Sequence, residues 1–225
     1  MTDERRGTVT LSVRCRDEFA EDVRLLRAAR PAVRVSVLGE VAVSFGVGVP
    51  AAAPYLGRAE SAGIPTVRRT TGGTGVLHLV GDLAWSVVLP RRHPVVGTDF
   101  VRAYGRIGAG LVRWLAAHGV DAAWVPAPGV NPDYCVLSGR GEVLVARDRV
   151  LGGAAQQLTR SALLHQGMIA GRVDRALVAR LFSIESPSTL SRLVGLDELG
   201  VAVDPRDAAR GLAGELSREF LSTEP

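Results

Sequence analysis

The chain has 225 residues, 47% hydrophobic and 22% charged, with a formal net charge of +4. Disorder is excluded, because one large domain or two small ones of this composition bury enough apolar surface to offset the ordering entropy. A helical membrane protein is excluded too, since Arg, Asp, Gly or Pro interrupts every apolar stretch well before the ~18 residues of a span.

Met1 to Gly7 is charged and polar, without the apolar segment of a secretory signal, so a soluble cytoplasmic protein is expected. Thr8 to Val13 alternates like a strand. Asp17 to Arg30 has helical spacing (Phe19, Val23, Leu26) with Asp17 as the expected N-cap. Val33 to Leu38 and Val41 to Phe45 read as two strands around a Gly-Glu turn. A helix is predicted over Ala53 to Ala62, closed by Gly63, then a short strand over Ile64 to Arg69. The Gly-rich loop Thr70 to Gly75 follows, with strands at Val76 to His78 and Leu83 to Leu89. The longest helix is predicted from Thr98 to His118, its apolar face marked by Phe100, Tyr104, Ile107, Leu111 and Leu115. Short strands are expected at Ala122 to Val125, Tyr134 to Leu137, Glu142 to Ala146 and Arg149 to Leu151, and another over Gln157 to Gln166. The last third reads as helical: Asp174 to Leu181, a turn from Ser188 to Val194, and a final helix from Pro205 to Leu221 with proline in its first turn. Strands come in runs rather than in strict alternation with helices, so an α+β fold is expected. A break near Ser183 to Pro187 divides residues 1–182 from a helical C-terminal extension, 183–225, packed on the same domain.

All 27 basic side chains are arginine. The absence of lysine excludes any mechanism that needs a lysine amine of this chain. An Arg-, Ala-, Gly- and Val-rich composition is a codon-bias signature, so the positive charge argues weakly for nucleic acid, and no aromatic side chain stands in a basic run. No nucleic-acid or membrane partner is expected. Cys15 and Cys135 make no disulfide framework, and no zinc-ligand spacing or other metal cluster is present.

Two segments carry chemistry. Arg68 and Arg69 lead from a strand into Thr70-Thr71-Gly72-Gly73-Thr74-Gly75, followed by Val76-Leu77-His78. Glycines let backbone N–H groups approach an anion closely, and arginine supplies a fork for carboxylate or phosphate. The loop lacks the GK[ST] of a P-loop and leads into a strand rather than the helix of a dinucleotide fingerprint. A ligand loop and a structural hairpin both fit. Downstream, Val150-Leu151-Gly152-Gly153-Ala154-Ala155-Gln156 leaves room for a ligand, and His165-Gln166-Gly167 reads as a turn presenting a polar group, or as a structural histidine.

Together these segments resemble the lipoate–protein ligase and octanoyltransferase family, related to biotin–protein ligases. The family's paired arginines, Gly-rich run, Val-x-His and Gly-Asn-Leu fall on Arg68, Arg69, Thr71 to Val76, His78 and Gly81-Asp82-Leu83. Its Lys-Ile-x-Gly-x-Ala-Gln element falls on Val150 to Gln156, and its His-Gly turn on His165 to Gly167. The resemblance spans roughly Val33 to Ile169. It implies a mixed, largely antiparallel curved sheet with flanking helices around an acyl pocket. It also implies a substrate-binding set of Arg68, Arg69, Thr71, Gly72, Gly73, Thr74, Gly75, His78, Val150, Gly153, Ala155, Gln156, His165 and Gly167, no tightly bound cofactor, and an octanoyl or lipoyl group as the pocket's occupant.

The sequence departs from the family where Val150 replaces the lysine that polarises the reacting carbonyl. Arg149 is adjacent but points to the other face of a strand. Loss of such a cation typically costs about 100-fold or more, which disfavours an ATP-dependent ligase. Cys135 lies fifteen residues before Val150, an offset resembling that of the cysteine-dependent octanoyltransferases, with His78 or His165 as its base. A buried, inert cysteine is the competing reading. The leading expectation is an acyltransferase with Cys135 as nucleophile, an acyl carrier protein or acyl-CoA as donor, and a lipoyl carrier domain or small molecule as acceptor. The alternatives are a non-catalytic member that binds an acyl group, acyl-adenylate or carrier domain, one that needs a partner to supply the lysine, and transfer of a different acyl group.

Overall fold

The computed structural model of the chain describes residues 7–96, 100–201 and 204–221. In chain order the elements are β1 (Thr8–Val13), α1 (Cys15–Ala28), β2 (Ala32–Leu38), β3 (Ala42–Phe45), α2 (Pro54–Ser61), β4 (Thr66–Arg68), β5 (Gly75–His78), β6 (Leu83–Pro90), α3 (Phe100–Ala117), β7 (Ala122–Pro126), β8 (Glu142–Ala146), β9 (Arg149–Leu158), β10 (Ala162–Ile169), α4 (Arg175–Phe182), α5 (Pro187–Leu190) and α6 (Pro205–Phe220). Seven strands form one sheet in the order β1-β2-β6-β10-β9-β8-β7, and three form another in the order β4-β3-β5. Among the strand pairs of the described residues, β1–β2 and β3–β4 are parallel and the others antiparallel. The expected α+β fold with a largely antiparallel sheet is what forms.

Period-two alternation decides which face each strand residue serves. Val33 and Val35 of β2, with Leu83, Trp85, Val87 and Leu89 of β6, are buried in one core with Ile107, Leu111 and Leu115 of α3 and Leu212, Leu216 and Phe220 of α6. Each such side chain contributes roughly 1.5–3 kcal/mol by leaving water. The opposite face is covered by α1 and the smaller sheet, and there Arg34, Ser36, Ala84, Ser86, Gln166 and Met168 are also buried or nearly so. No helix among the described residues is long and apolar enough to cross a membrane.

Local expectations fail in a few places, each for a readable reason. Helix α1 begins at Cys15 with Arg14 as N-cap, so Asp17 lies in its first turn and pairs with Arg14 at 3.1 Å. The two strands expected around the Gly-Glu turn do not pair, because β2 belongs to the large sheet and β3 to the small one. Tyr134 to Leu137 is a 3-10 turn rather than a strand. Asn131 Oδ1 accepts from the backbone N–H groups of Asp133 and Tyr134 and curls the chain into it. The strand expected over Gln157 to Gln166 is a hairpin, turned where Thr159 Oγ1 accepts from the Ala162 N–H. His165 to Gly167 lies inside β10 and is not a turn. The expected helix start at Thr98 and the reading of Met1 to Arg6 fall outside the described residues.

The C-terminal segment returns to the sheet. Backbone hydrogen bonds join Val150 N to Arg192 O at 2.6 Å and Val194 N to Val150 O at 2.9 Å.

Candidate functional site

A mostly apolar cavity lies between the large sheet, α1 and the small sheet. The Gly-rich loop and the 3-10 turn contribute Arg69, Thr71, Cys135 and Val136, and the small sheet adds Ser44, Val76 and His78. The large sheet supplies Ala84, Trp85, Gly153, Ala155, Gln166, Gly167 and Met168, while α1 supplies Glu18, Phe19 and Asp22. Arg140 and Glu142 are exposed at its rim, whereas the α1 residues on its inner side are buried.

Cys135 is half-buried at the start of its turn, against the Gly-rich loop. Gly73 has φ of +92°, and a Cβ there would stand 2.7 Å from the Cys135 sulfur. Only glycine suits both the left-handed backbone and the close approach. Arg69 is buried beside the same loop. Its Nη1 donates to Ser44 Oγ at 2.7 Å, and its Nη2 donates to the carbonyls of Gly72 and Thr74 at 3.0 and 3.1 Å. Burial lowers the Arg69 pKa from its ordinary value, and the neighbouring Cys135 and Tyr55 oppose that shift. The guanidinium therefore supplies buried positive charge close to the thiol.

A relay continues inward. Ser44 Oγ and His78 Nε2 are 2.6 Å apart, and burial together with the Arg69 charge pushes the His78 pKa down to about 3. His78 is thus a neutral ring hydrogen-bonded to the Ser44 hydroxyl, and a weak base for the thiol. Thr71 Oγ1 is buried in the cavity wall without a protein partner.

Of the residues expected at the site, Arg69, Thr71, His78, Cys135, Gly153, Ala155 and Gly167 line one cavity. Gly72, Gly73, Thr74 and Gly75 form the loop behind it. Arg68 lies outside, where Nη1 donates to the Val47 and Val49 carbonyls and the guanidinium covers the Phe45 ring at 4.6 Å. His165 is on the opposite face of the sheet, stacked on Trp85 at 5.0 Å and against Tyr104 at 4.6 Å, with Gln156 Nε2 donating to its Nδ1 at 2.6 Å. Burial pushes its pKa down to about 3, and alternation along β10 removes it from Cys135. Val150 is 5% exposed in an apolar cluster and faces a second, smaller cavity with Tyr134, Val136 and Leu193. Arg149 turns away to Glu198 at 2.9 Å. Asp82 fixes a turn: its carboxylate accepts from Leu79 N and Gly171 N, at 2.8 and 2.9 Å.

Sequence reasoning missed Glu18, Asp22 and Ser44, and named Gln166 only as part of the His-Gln-Gly segment. One signal was readable, since Arg34 stands in a largely apolar strand and a buried cation demands a carboxylate partner. Glu18 and Asp22 supply it at 2.6 and 2.9 Å.

Residues 39–205 match the family described as the lipoyl protein ligase A/B catalytic domain. An octanoyltransferase LipM of Geobacillus kaustophilus is 29% identical over 140 residues, covering 58% of this chain and 50% of that protein. The chain thus spans about half the length of the first curated relatives it matches. A putative lipoate protein ligase from T. acidophilum has the same fold, with a TM-score of 0.71 at 21% identity over 96% of this chain and 85% of the other. A lipoate-protein ligase A bound with ATP gives a TM-score of 0.70 at 23% identity, covering 95% and 93% of the two chains.

Proposed function

The chain belongs to the lipoyl protein ligase A/B catalytic-domain family, and from that we propose that it moves an octanoyl- or lipoyl-like acyl group from a carrier-protein or CoA thioester to an acceptor through a thioester on Cys135. The observation that carries this reading is the contact of the thiol with Gly73 in a cavity wall shared with the buried Arg69 guanidinium. The similar octanoyltransferases add to it.

In the first step the deprotonated Cys135 sulfur attacks the donor's carbonyl. A new C–S bond forms, the donor's C–S bond breaks, and the donor leaves as a thiol carrying the proton lost from Cys135. In the second step an acceptor amine attacks the Cys135 thioester, forming an amide and returning a proton to the sulfur. Arg69 stabilises the negative charge that passes between sulfur and oxygen, and the unpartnered Thr71 hydroxyl offers a hydrogen bond to the bound acyl group. Gly72, Gly73, Thr74 and Gly75 hold the loop against the reacting carbon, while Gly153, Ala155 and Gly167 leave room for the chain. In this reading residues 1–182 form the catalytic unit and 183–225 a helical extension that buttresses it.

ATP-dependent activation is not supported, because Val150 is an apolar side chain in an apolar cluster at the position where the sequence resemblance implies a lysine. The test is incubation with octanoyl-acyl carrier protein and an apo lipoyl carrier domain, with and without ATP. Octanoylation of the domain independent of ATP supports the proposal. Modification that requires ATP and free lipoate overturns it.

A second reading, acyl binding without turnover, is favoured by one observation. The buried His78, pushed down to about 3, is a poor base for Cys135. A cavity that binds octanoate while Cys135 stays unacylated would select this reading.

A further inference from the structure

Resting on the acyl-transfer reading, we propose that this cavity takes an acyl chain bearing a terminal amine, received by a polar wall built from Glu18, Asp22 and Gln166. A polar row crosses the large sheet on the cavity face. Arg34, Ser86, Gln166 and Ala155 stand directly opposite one another on β2, β6, β10 and β9. Two residues further along β10, Met168 pairs with Gly153, which packs against Val136 beside Cys135. The polar row is therefore about 7 Å further along the sheet from the thiol side, where the far end of a bound chain would lie.

Helix α1 lays Glu18 and Asp22, one turn apart, over this row. Each is 1% exposed and both line the cavity. One guanidinium serves them, with Arg34 Nη2 at 2.6 Å from Glu18 and Nη1 at 2.9 Å from Asp22. Two carboxylates facing one cation leave one negative charge when both are ionised, which is costly in a buried site. Burial accordingly pushes the Asp22 pKa up to about 7, with the Glu18 charge adding to the shift. Independently, Gln166 is 4% exposed, lines the cavity, and has a buried Oε1 that accepts from no protein donor.

The groups left over on this wall are the Gln166 amide, whose buried Oε1 has no donor, and the net negative charge of Glu18 and Asp22 about Arg34 when both are ionised. A terminal methyl would dehydrate them and offer nothing in return. A terminal ammonium supplies three donors and the missing charge, as a site built to hydrogen-bond its substrate requires.

The experiment measures acylation of the intact protein by pantetheine thioesters, butanoyl to octanoyl, each with and without a terminal amine, by mass spectrometry. At one or more lengths the amine-bearing chain is expected to acylate Cys135 at least ~10-fold faster than its plain counterpart. Asp22→Asn and Gln166→Leu are each expected to pull that ratio towards one. The ratio is the readout, so a loss of overall rate does not affect it, and Gln166→Leu covers the case in which Asp22→Asn fails to fold. Equal or faster acylation by the plain chain at every length overturns this inference and leaves acyl transfer standing. If no thioester acylates Cys135, acyl transfer itself fails. The wall is then tested by thermal shift with the free ω-amino and plain acids. Stabilisation by the amino acids alone supports the inference, and equal or greater stabilisation by the plain acids overturns it.

Discussion

Cys135 packs on the bare Cα of Gly73, so closely that a methyl group there would stand 2.7 Å from the sulfur and 3.1 Å from Arg69 Nη2. Gly73→Ala therefore strains a backbone at φ +92° and displaces both groups at once. The expected outcome is destabilisation of about 1–2 kcal/mol by urea unfolding, with acylation of Cys135 reduced about 10-fold or more. Unchanged acylation in a folded variant would separate the loop from the thiol's chemistry.

Arg69 holds Ser44 and two loop carbonyls with one planar group. A lysine is a point charge and does not reach three acceptors arranged for a fork. Arg69→Lys is expected to retain the charge but lose about 1–3 kcal/mol of stability and at least 10-fold in acyl transfer. Arg69→Met should cost more on both measures, because it also leaves Ser44 and the carbonyls without their donor. Equal rates for the two variants would argue against an electrostatic role.

These two positions also show how far the sequence could be read. Arg69, Thr71, His78 and the glycines stand in one short stretch, so the loop and its strand were legible together. Cys135 was legible through its offset from Val150 but not through its surroundings, because its neighbourhood depends on a 3-10 turn made by Asn131 and not by hydrophobic period. His165 was placed with the site because strand and turn look alike in His-Gln-Gly. Its register opposite Val87 and Gln156 puts it on the other face. The inner wall was hidden for a different reason. Glu18 and Asp22 carry no local signal in α1, and only β2 brings Arg34 beneath them. Tertiary pairing of that kind leaves little local signal.

Val150→Lys tests the lysine that the sequence resemblance places at this position. The side chain would enter an apolar cluster against Leu193, where burying an ammonium is costly. Destabilisation of about 3 kcal/mol or more is expected, read by thermal or urea unfolding, with no gain of ATP-dependent lipoate activation. A stable variant that adenylates lipoate would show that the space for the lysine persists.

The buried histidines and aspartates give opposite pH dependences. His165 falls from 6.5 to about 3 in the folded protein. The unfolded chain therefore takes up a proton that the native state refuses, and stability is lost as pH falls from about 6.5 towards 3. Asp82 rises from 3.8 to about 7, chiefly through burial, so its contribution is lost as pH rises from about 4 to 7. The stability cost of His165→Gln should accordingly shrink between pH 7 and pH 5, by up to about 2 kcal/mol. The cost of Asp82→Asn should grow over the same interval. Urea unfolding at the two pH values reads both signs, and parallel changes would contradict the assignment.

Acyl transfer through Cys135 is tested most directly by intact-mass spectrometry after incubation with octanoyl-acyl carrier protein, comparing the wild type with Cys135→Ser. The expected result is a single octanoyl adduct on the wild type that hydroxylamine removes, and none on the variant. An adduct that survives in Cys135→Ser, or folded wild-type protein that binds the acyl chain yet takes up none covalently, would contradict the nucleophile assignment.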